Sequence, residues 1–366
     1  MTDIADGLPV PVERPRPATR GILPWLRANL FNNIPNSLLT LVAAYFLAVT
    51  IPPLLRWALI DATWHAPDGR ACHGGGACWA FIAEKARFIL FGRYPYAEQW
   101  RPALVMVIFI ALIVASCNRR LWGRRLPLLW IAGLAVVGVL MWGGILGLPY
   151  VETSLWSGLP LTLILASVGM ALAFPVAILL ALGRRSKLPA VRIFCVAYIE
   201  LVRGVPLITV LFMASVMLPL FLPEGVTIDK LLRAQVAFIL FAAAYLAEVL
   251  RGGLQAIPRG QIEAADALGL GYWQRTRLIV LPQALRLVIP PLVNNFIGAF
   301  KNTSLVLIIG LFDLLNTANT ALTDANWQGF ATEAYVTTAA IYFCFCFFMS
   351  RYSQMLEREL NRGRQR

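Results

Sequence analysis

Eight long apolar stretches divide this chain, at residues 37–60, 102–117, 126–148, 159–182, 193–222, 234–250, 285–311 and 334–350. Crossing a hydrocarbon core takes roughly 20 helical residues, and most of the eight reach or approach that length. With 59% hydrophobic and 14% charged residues, the chain carries more apolar surface than one soluble core needs. Lipid-facing backbone must satisfy its own hydrogen bonds, and the short alternating segments of a membrane barrel are absent. The expected fold is therefore all-α, a polytopic transmembrane helical bundle of about eight spans in a lipid bilayer. The fifth and seventh stretches are longer than one crossing requires.

The formal net charge of +13 raises nucleic acid as a partner, but the arginines do not form one aromatic-studded patch. They recur beside the spans. Arg14, Arg16, Arg20 and Arg27 precede the first; Arg119, Arg120, Arg124 and Arg125 follow the second; Arg184, Arg185, Lys187 and Arg192 follow the fourth. Segments 150–158 and 312–333 have no Lys or Arg, and 223–232 has only Lys230. The positive-inside rule then places both termini and the 255–282 loop in the cytoplasm. One loop dissents: residues 61–101 should lie outside, yet carry Arg70, Lys85, Arg87, Arg93 and Arg101. A loop this long can translocate despite its charge, and residues 79–91 are expected as an amphipathic helix along the membrane. The Pro-rich start of the chain is expected to be a flexible cytoplasmic lead, residues 1–36, and the first apolar run a retained signal anchor.

Cys117, Cys195, Cys344 and Cys346 fall in or beside spans, as small packing residues. Cys72 and Cys78, in "CHGGGAC" of the external loop, suit a disulfide in an oxidising compartment. A metal site using His65, His73 and both thiols is the alternative, but its spacing matches no common zinc pattern. No metal is expected. No Gly-Lys dipeptide, H-E-x-x-H or G-x-S-x-G occurs, so the chain shows no phosphate-cradling loop and no familiar catalytic motif. Any ATP and Mg it depends on must be used by another polypeptide.

The stretch "QIEAADALGLGYWQRTRLIVLP", residues 261–282, interrupts two apolar segments with Glu263, Asp266, Arg275 and Arg277. Pro258 suits a first helical turn, Glu263 and Asp266 are expected early enough to favour its positive end, and Gly269 to Gly271 supply a left-handed stop. A short cytoplasmic helix is expected, with Ala264, Ala265 and Ala267 on its surface and Glu263 free to engage a partner.

The order Glu263-Ala264-Ala265, Gly269, Ile279, Leu281-Pro282 resembles the EAA loop of the membrane subunits of bacterial ABC importers. "YIELVRGVPL" from Tyr198, "AAAYLAEVLRGGLQAIPRGQIEAA" from Ala242, "LPQALRLVIPPLVNNF" from Leu281 and "KNTSLVLIIG" from Lys301 are similar to permeases for polar amino acids. The resemblance covers roughly residues 159–360. It implies a five-span MetI-like permease core at 151–360, preceded by three accessory spans at 37–150, as in the long permeases of general L-amino-acid or glutamate/glutamine/aspartate importers. It also implies a second, related permease, two ATPase subunits that receive the coupling loop, and an external solute-binding protein that delivers an amino acid. This chain would be a non-catalytic inner-membrane subunit without a cofactor of its own.

Intramembrane polar residues are costly and mark candidate sites. Glu200 and Arg203, and Glu248 and Arg251, are three apart and are read chiefly as self-neutralising pairs, with Glu248 also weighed for the substrate pathway. Gly204 and Pro206 are expected to break the long fifth segment. In the seventh, Pro290 and Pro291 disturb the helix, while Asn294, Gly298 and Asn302 share a stripe with Lys301 nearby. These are the substrate-pathway candidates; helix packing is the competing reading for Asn294 and Gly298. A self-contained secondary transporter or channel is the rival function, and the coupling loop argues against it.

Overall fold

The computed structural model describes residues 21–72, 74–121 and 123–362; the first 20 residues of the expected lead lie outside them. Helices α1 (Ile22–Asn29) and α2 (Ile34–Leu55) belong to one compact unit that also includes residues 72–77. The presence of α1 corrects the expectation that the chain is flexible as far as residue 36. Pro24 falls in its first turn, where a missing N–H removes no intrahelical bond, and Asn29 Nδ2 donates to the Trp25 carbonyl at 2.8 Å. Asn33 caps α2 by accepting from the Asn36 N–H at 2.9 Å. Past Pro52 and Pro53, α2 widens into a π-helical turn, Arg56–Ile60.

The second unit contains residues 65–71 and everything from Cys78 onward. Its helices are α3 (Trp79–Phe91), α4 (Trp100–Cys117), α5 (Arg125–Trp142), α6 (Gly158–Arg184), α7 (Pro189–Gly204), α8 (Leu207–Phe212), α9 (Lys230–Gln255), α10 (Arg259–Ala267), α11 (Tyr272–Arg275), α12 (Leu281–Asn302), α13 (Leu314–Ala321) and α14 (Ala331–Arg362). Seven helices in the described residues are long and apolar enough to cross a membrane. An eighth crossing arises if α7 and the helical run from α8 to Leu220, bent by 104°, count as one broken span. The break is at Gly204 to Pro206, as the sequence suggested. Two expectations are corrected: the third span stops at Trp142, where Gly143 turns to φ 69°, and Pro290 and Pro291 leave α12 unbroken. The two prolines remove donors that the Arg286 and Leu287 carbonyls would use, yet neighbouring helices hold the rod together.

The centre of this unit is α9, which packs on α6, α7 and α12. Hydrocarbon tails compete equally with apolar side chains, so helix association inside a membrane depends on close fit rather than on water exclusion. Small residues provide that fit. Ala243, Ala244 and Ala247 are fully buried, and a Cβ added to Gly253 would sit 2.4 Å from Val288 and 2.9 Å from the Ala284 carbonyl. By contrast, Leu179, Ile193, Phe194, Leu201 and Phe343 stand largely exposed on outward faces, where lipid would meet them.

Helix α3 has the bounds read from sequence, but it packs on α13 and α6 instead of lying free on a bilayer surface. Phe81 and Ile89 are buried there, and the Thr317 hydroxyl donates to the Ile89 carbonyl at 2.6 Å. Around it the expected external loops meet: Arg93 N–H donates to Ser157 Oγ at 2.7 Å, Cys78 N–H to Glu333 Oε1 at 2.9 Å, and Thr153 bonds the Asp229 carboxylate. At the opposite end, Arg185 Nη1 donates to the Leu254 carbonyl at 2.8 Å and Tyr352 Oη to the Ser116 carbonyl at 3.0 Å. These contacts gather the loops after α4 and α6 at one end, and the arginine-poor segments 150–158, 223–232 and 312–333 around α3 at the other.

Candidate functional site

Helix α10 follows α9 after a three-residue connection, and its first turn is entered through Pro258 with extended ψ. Its far end closes by two backbone bonds: Gly269 N–H to the Asp266 carbonyl at 3.0 Å and Leu270 N–H to the Ala265 carbonyl at 3.1 Å. This is a Schellman closure, and it requires the left-handed conformation that Gly269 adopts at φ 72°. Gly271, the other glycine of the expected stop, keeps a negative φ of −66°. Asp266 lies in the last turn instead of near the positive end. There it would oppose the helix dipole, but Arg275 Nη1 donates to its Oδ2 at 2.7 Å.

The surface of α10 also departs from expectation. Glu263, Ala264 and Ala267 are exposed, but Ala265 is buried against the π-helical turn Thr276–Val280. Gln283 Nε2, which donates to the Ile279 carbonyl at 3.0 Å, also donates to Gln261 Oε1 at 3.2 Å and so fastens α10 to the start of α12. Leu281 is half-buried and Pro282 is exposed in the first turn of α12. Leu268 and Trp273 project at 77% and 68% exposure. The result is a braced polar helix with a small-residue face and two projecting apolar anchors, carried on two spans.

Deeper in the bundle lies a cavity of about 380 Å3, bounded by α6, α8, α9 and α12. Asn294, Gly298 and Asn302 all line it, so the four-residue stripe on α12 faces one space. Lys301 and Glu248 do not line it; Lys301 is exposed on another face of α12. Across from the stripe stand Phe238, Phe241 and Tyr245 of α9, at helical spacings of three and four, which sequence reasoning passed over because such a stripe usually marks core. Asn295 also lines the cavity, although its Nδ2 donates to the Pro291 carbonyl at 2.9 Å. Amides offer both donors and acceptors beside aromatic walls, a combination that suits a small polar molecule. A Cβ placed on Gly298 would meet nothing within 4 Å.

Glu248 instead forms the hub of an ionic cluster. Arg251 Nε donates to both its oxygens at 3.0 Å, Arg184 Nη1 reaches Oε2 at 3.3 Å and Arg203 Nη1 lies 3.6 Å away. Glu200 pairs with Arg184 at 2.9 Å, and no bond joins it to Arg203. One expected pair, Glu248 with Arg251, thus forms within its helix; the other, Glu200 with Arg203, is replaced by contacts between helices. Packing of α6 and α9 on α7 brings Arg184 and Glu248 within reach, and an arginine from another helix outcompetes the neighbour three residues away.

Cys72 and Cys78 are disulfide-bonded, and Cys117, Cys195, Cys344 and Cys346 are free. Among the described residues no group of three or more His, Cys, Asp or Glu side chains could hold a metal ion; His73 lies outside them.

Residues 173–362 match the family model of the binding-protein-dependent transport system inner membrane component. Over 355 residues the chain is 52% identical to the inner membrane amino-acid ABC transporter permease protein YhdY of Escherichia coli (strain K12), covering 96% of this chain and 97% of that one. It is 39% identical over 418 aligned residues to the glutamate/glutamine/aspartate/asparagine transport system permease protein BztC of Rhodobacter capsulatus, covering 95% and 96%. The glutamate/aspartate import permease protein GltK of Escherichia coli O6:H1 is 38% identical over 185 residues, covering 49% of this chain and 81% of that one.

Proposed function

This chain belongs to the family of binding-protein-dependent transport system inner membrane components, and from that premise we propose that it is the permease subunit of an ATP-driven importer of polar amino acids. The substrate class rests on the relatives, two of which are named for glutamate and aspartate transport. The observation that carries the reading is α10: a short exposed helix, closed at Gly269 and braced on two spans, at the arginine-rich end of the bundle. Such a helix suits the groove of a soluble ATPase, whose motion it passes to α9 and α12. Those two helices border the cavity holding Asn294, Gly298 and Asn302, so displacement of α10 would reshape the space where substrate is held.

The subunit does not itself hydrolyse ATP in this reading. Two ATPase chains with bound ATP and Mg work beneath it, a second, related permease completes the pathway, and an external binding protein delivers the amino acid. The core is residues 151–360, with spans 37–150 as an accessory region. Both termini and α10 face the cytoplasm, while Asp229 and Asp324 face outward. Purifying the tagged chain from its native membrane tests this directly. An ATPase and a second permease should copurify, and a cysteine at position 324 should react with external reagent while one at 266 should not. A lone chain that transports amino acids by itself, or inverted labelling, would overturn it.

A further inference from the structure

At the arginine-rich end, a second cavity of about 530 Å3 opens between α6, α7 and α9. Four of its lining residues are arginines, Arg184, Arg185, Arg192 and Arg251; Val196 and Gln255 complete it. The acid nearby is already engaged, since Glu248 is held by Arg251 and Arg184, and Glu200 by Arg184. Three arginines, Arg184, Arg203 and Arg251, pair with those two carboxylates, and Arg185 and Arg192 add charge that neither carboxylate balances, leaving the cavity region net positive. Arg192 is exposed and its guanidinium has no bonded partner among the described residues, while Arg185 spends one Nη on the Leu254 carbonyl.

We propose that this cavity binds the phosphate of an anionic phospholipid. Guanidinium groups match phosphate oxygens in planar, charge-assisted pairs, and basic pockets between transmembrane helices are suited to lipid head groups. The surroundings favour a lipid over free phosphate. Leu188, Ile193 and Phe194 flank Arg192 at 65%, 68% and 68% exposure, offering an outward apolar surface for acyl chains directly beside the positive mouth. A head group seated there would supply the missing negative charge between α6 and α7 and clamp the ends of both helices. The site is separate from the substrate cavity, and the proposal holds whichever leaflet faces this end.

The test uses the full-length chain in phosphatidylcholine nanodiscs, with bound lipid counted by native mass spectrometry as phosphatidylglycerol is added. The wild type should retain phosphatidylglycerol in preference to phosphatidylcholine. Substituting R185Q and R192Q together should cut that preference roughly thirtyfold, the scale expected when two arginines near a charged surface are neutralised. R192Q alone, at an exposed side chain without a partner, should give part of the loss and guards against misfolding of the double variant. R124Q with R125Q, in the other basic loop, should leave the preference intact. An unchanged preference in both R185Q/R192Q and R192Q would overturn the site, as would equal loss in the control pair. Inorganic phosphate binding as tightly as phosphatidylglycerol would overturn the lipid assignment.

Discussion

Arg101 illustrates how a single residue can mislead a reading of topology. Its charge stands in a loop that should be poor in basic residues, yet its side chain is fully buried. Nη1 donates to the Pro149 carbonyl at 2.9 Å, Nη2 to Met141 at 3.4 Å and Nε to Leu140, so it caps the last carbonyls of α5. Lys85, Arg87 and Arg93 are likewise engaged, with Asp324, with Gln99 and the Tyr96 ring, and with the Phe312 ring. Positive charge consumed in structure says little about orientation. Arg101→Met should leave three carbonyls without that donor and destabilise the α4–α5 pair by about 3 kcal/mol, measured as a lower unfolding midpoint in detergent. Gly298 makes the opposite kind of prediction. Because open space surrounds its missing Cβ, Gly298→Ala should transport almost normally, whereas Gly298→Phe should fill the cavity and abolish uptake in complexes that still assemble.

Spans and helix α10 were legible in the sequence because length and local turn chemistry define them. Eight apolar stretches correspond to seven spanning helices and one broken pair, and Gly269 takes the positive φ expected of a helix stop. Partnerships between helices were not legible. Nothing in local spacing says that Glu200 will choose Arg184 over Arg203, or that Ala265 will turn inward, since both follow from which helices pack together. The docking of α3 on α13 was hidden for the same reason, and it carries a pH signature. Lys85 donates to Asp324 at 2.6 Å and holds that carboxyl below its ordinary range. A depressed folded value means the pair stabilises the docked state above the unfolded carboxyl's value, about 3.9, and that this help is lost as pH falls through the lower folded one. Protection factors of α3 amides, with exchange corrected for its intrinsic pH dependence, should therefore fall on acidification below about 4 in the wild type and change less in Asp324→Asn.

At the largest scale, within the second unit, a short exposed helix is joined to two helices that line a cavity. Helix α10 sits between α9 and α12, and both border the polar cavity, so force applied at one end of the bundle has a short covalent route to it. The matches to the two long relatives cover 96% and 95% of this chain and so take in residues 37–150, whereas the match to the shorter one covers 49%. The central claim is that an ATPase drives the pathway through α10. Gly269→Val tests it most directly, because a β-branched residue at φ 72° strains the Schellman closure by about 2 kcal/mol, while its Cβ meets no other atom of this chain. The measurement is substrate-stimulated ATP hydrolysis alongside uptake, in complexes reconstituted with the partner permease, ATPase and binding protein. The expected result is loss of both activities in an assembled complex, with Glu263→Ala milder; wild-type hydrolysis and uptake in assembled Gly269→Val complexes would contradict the account.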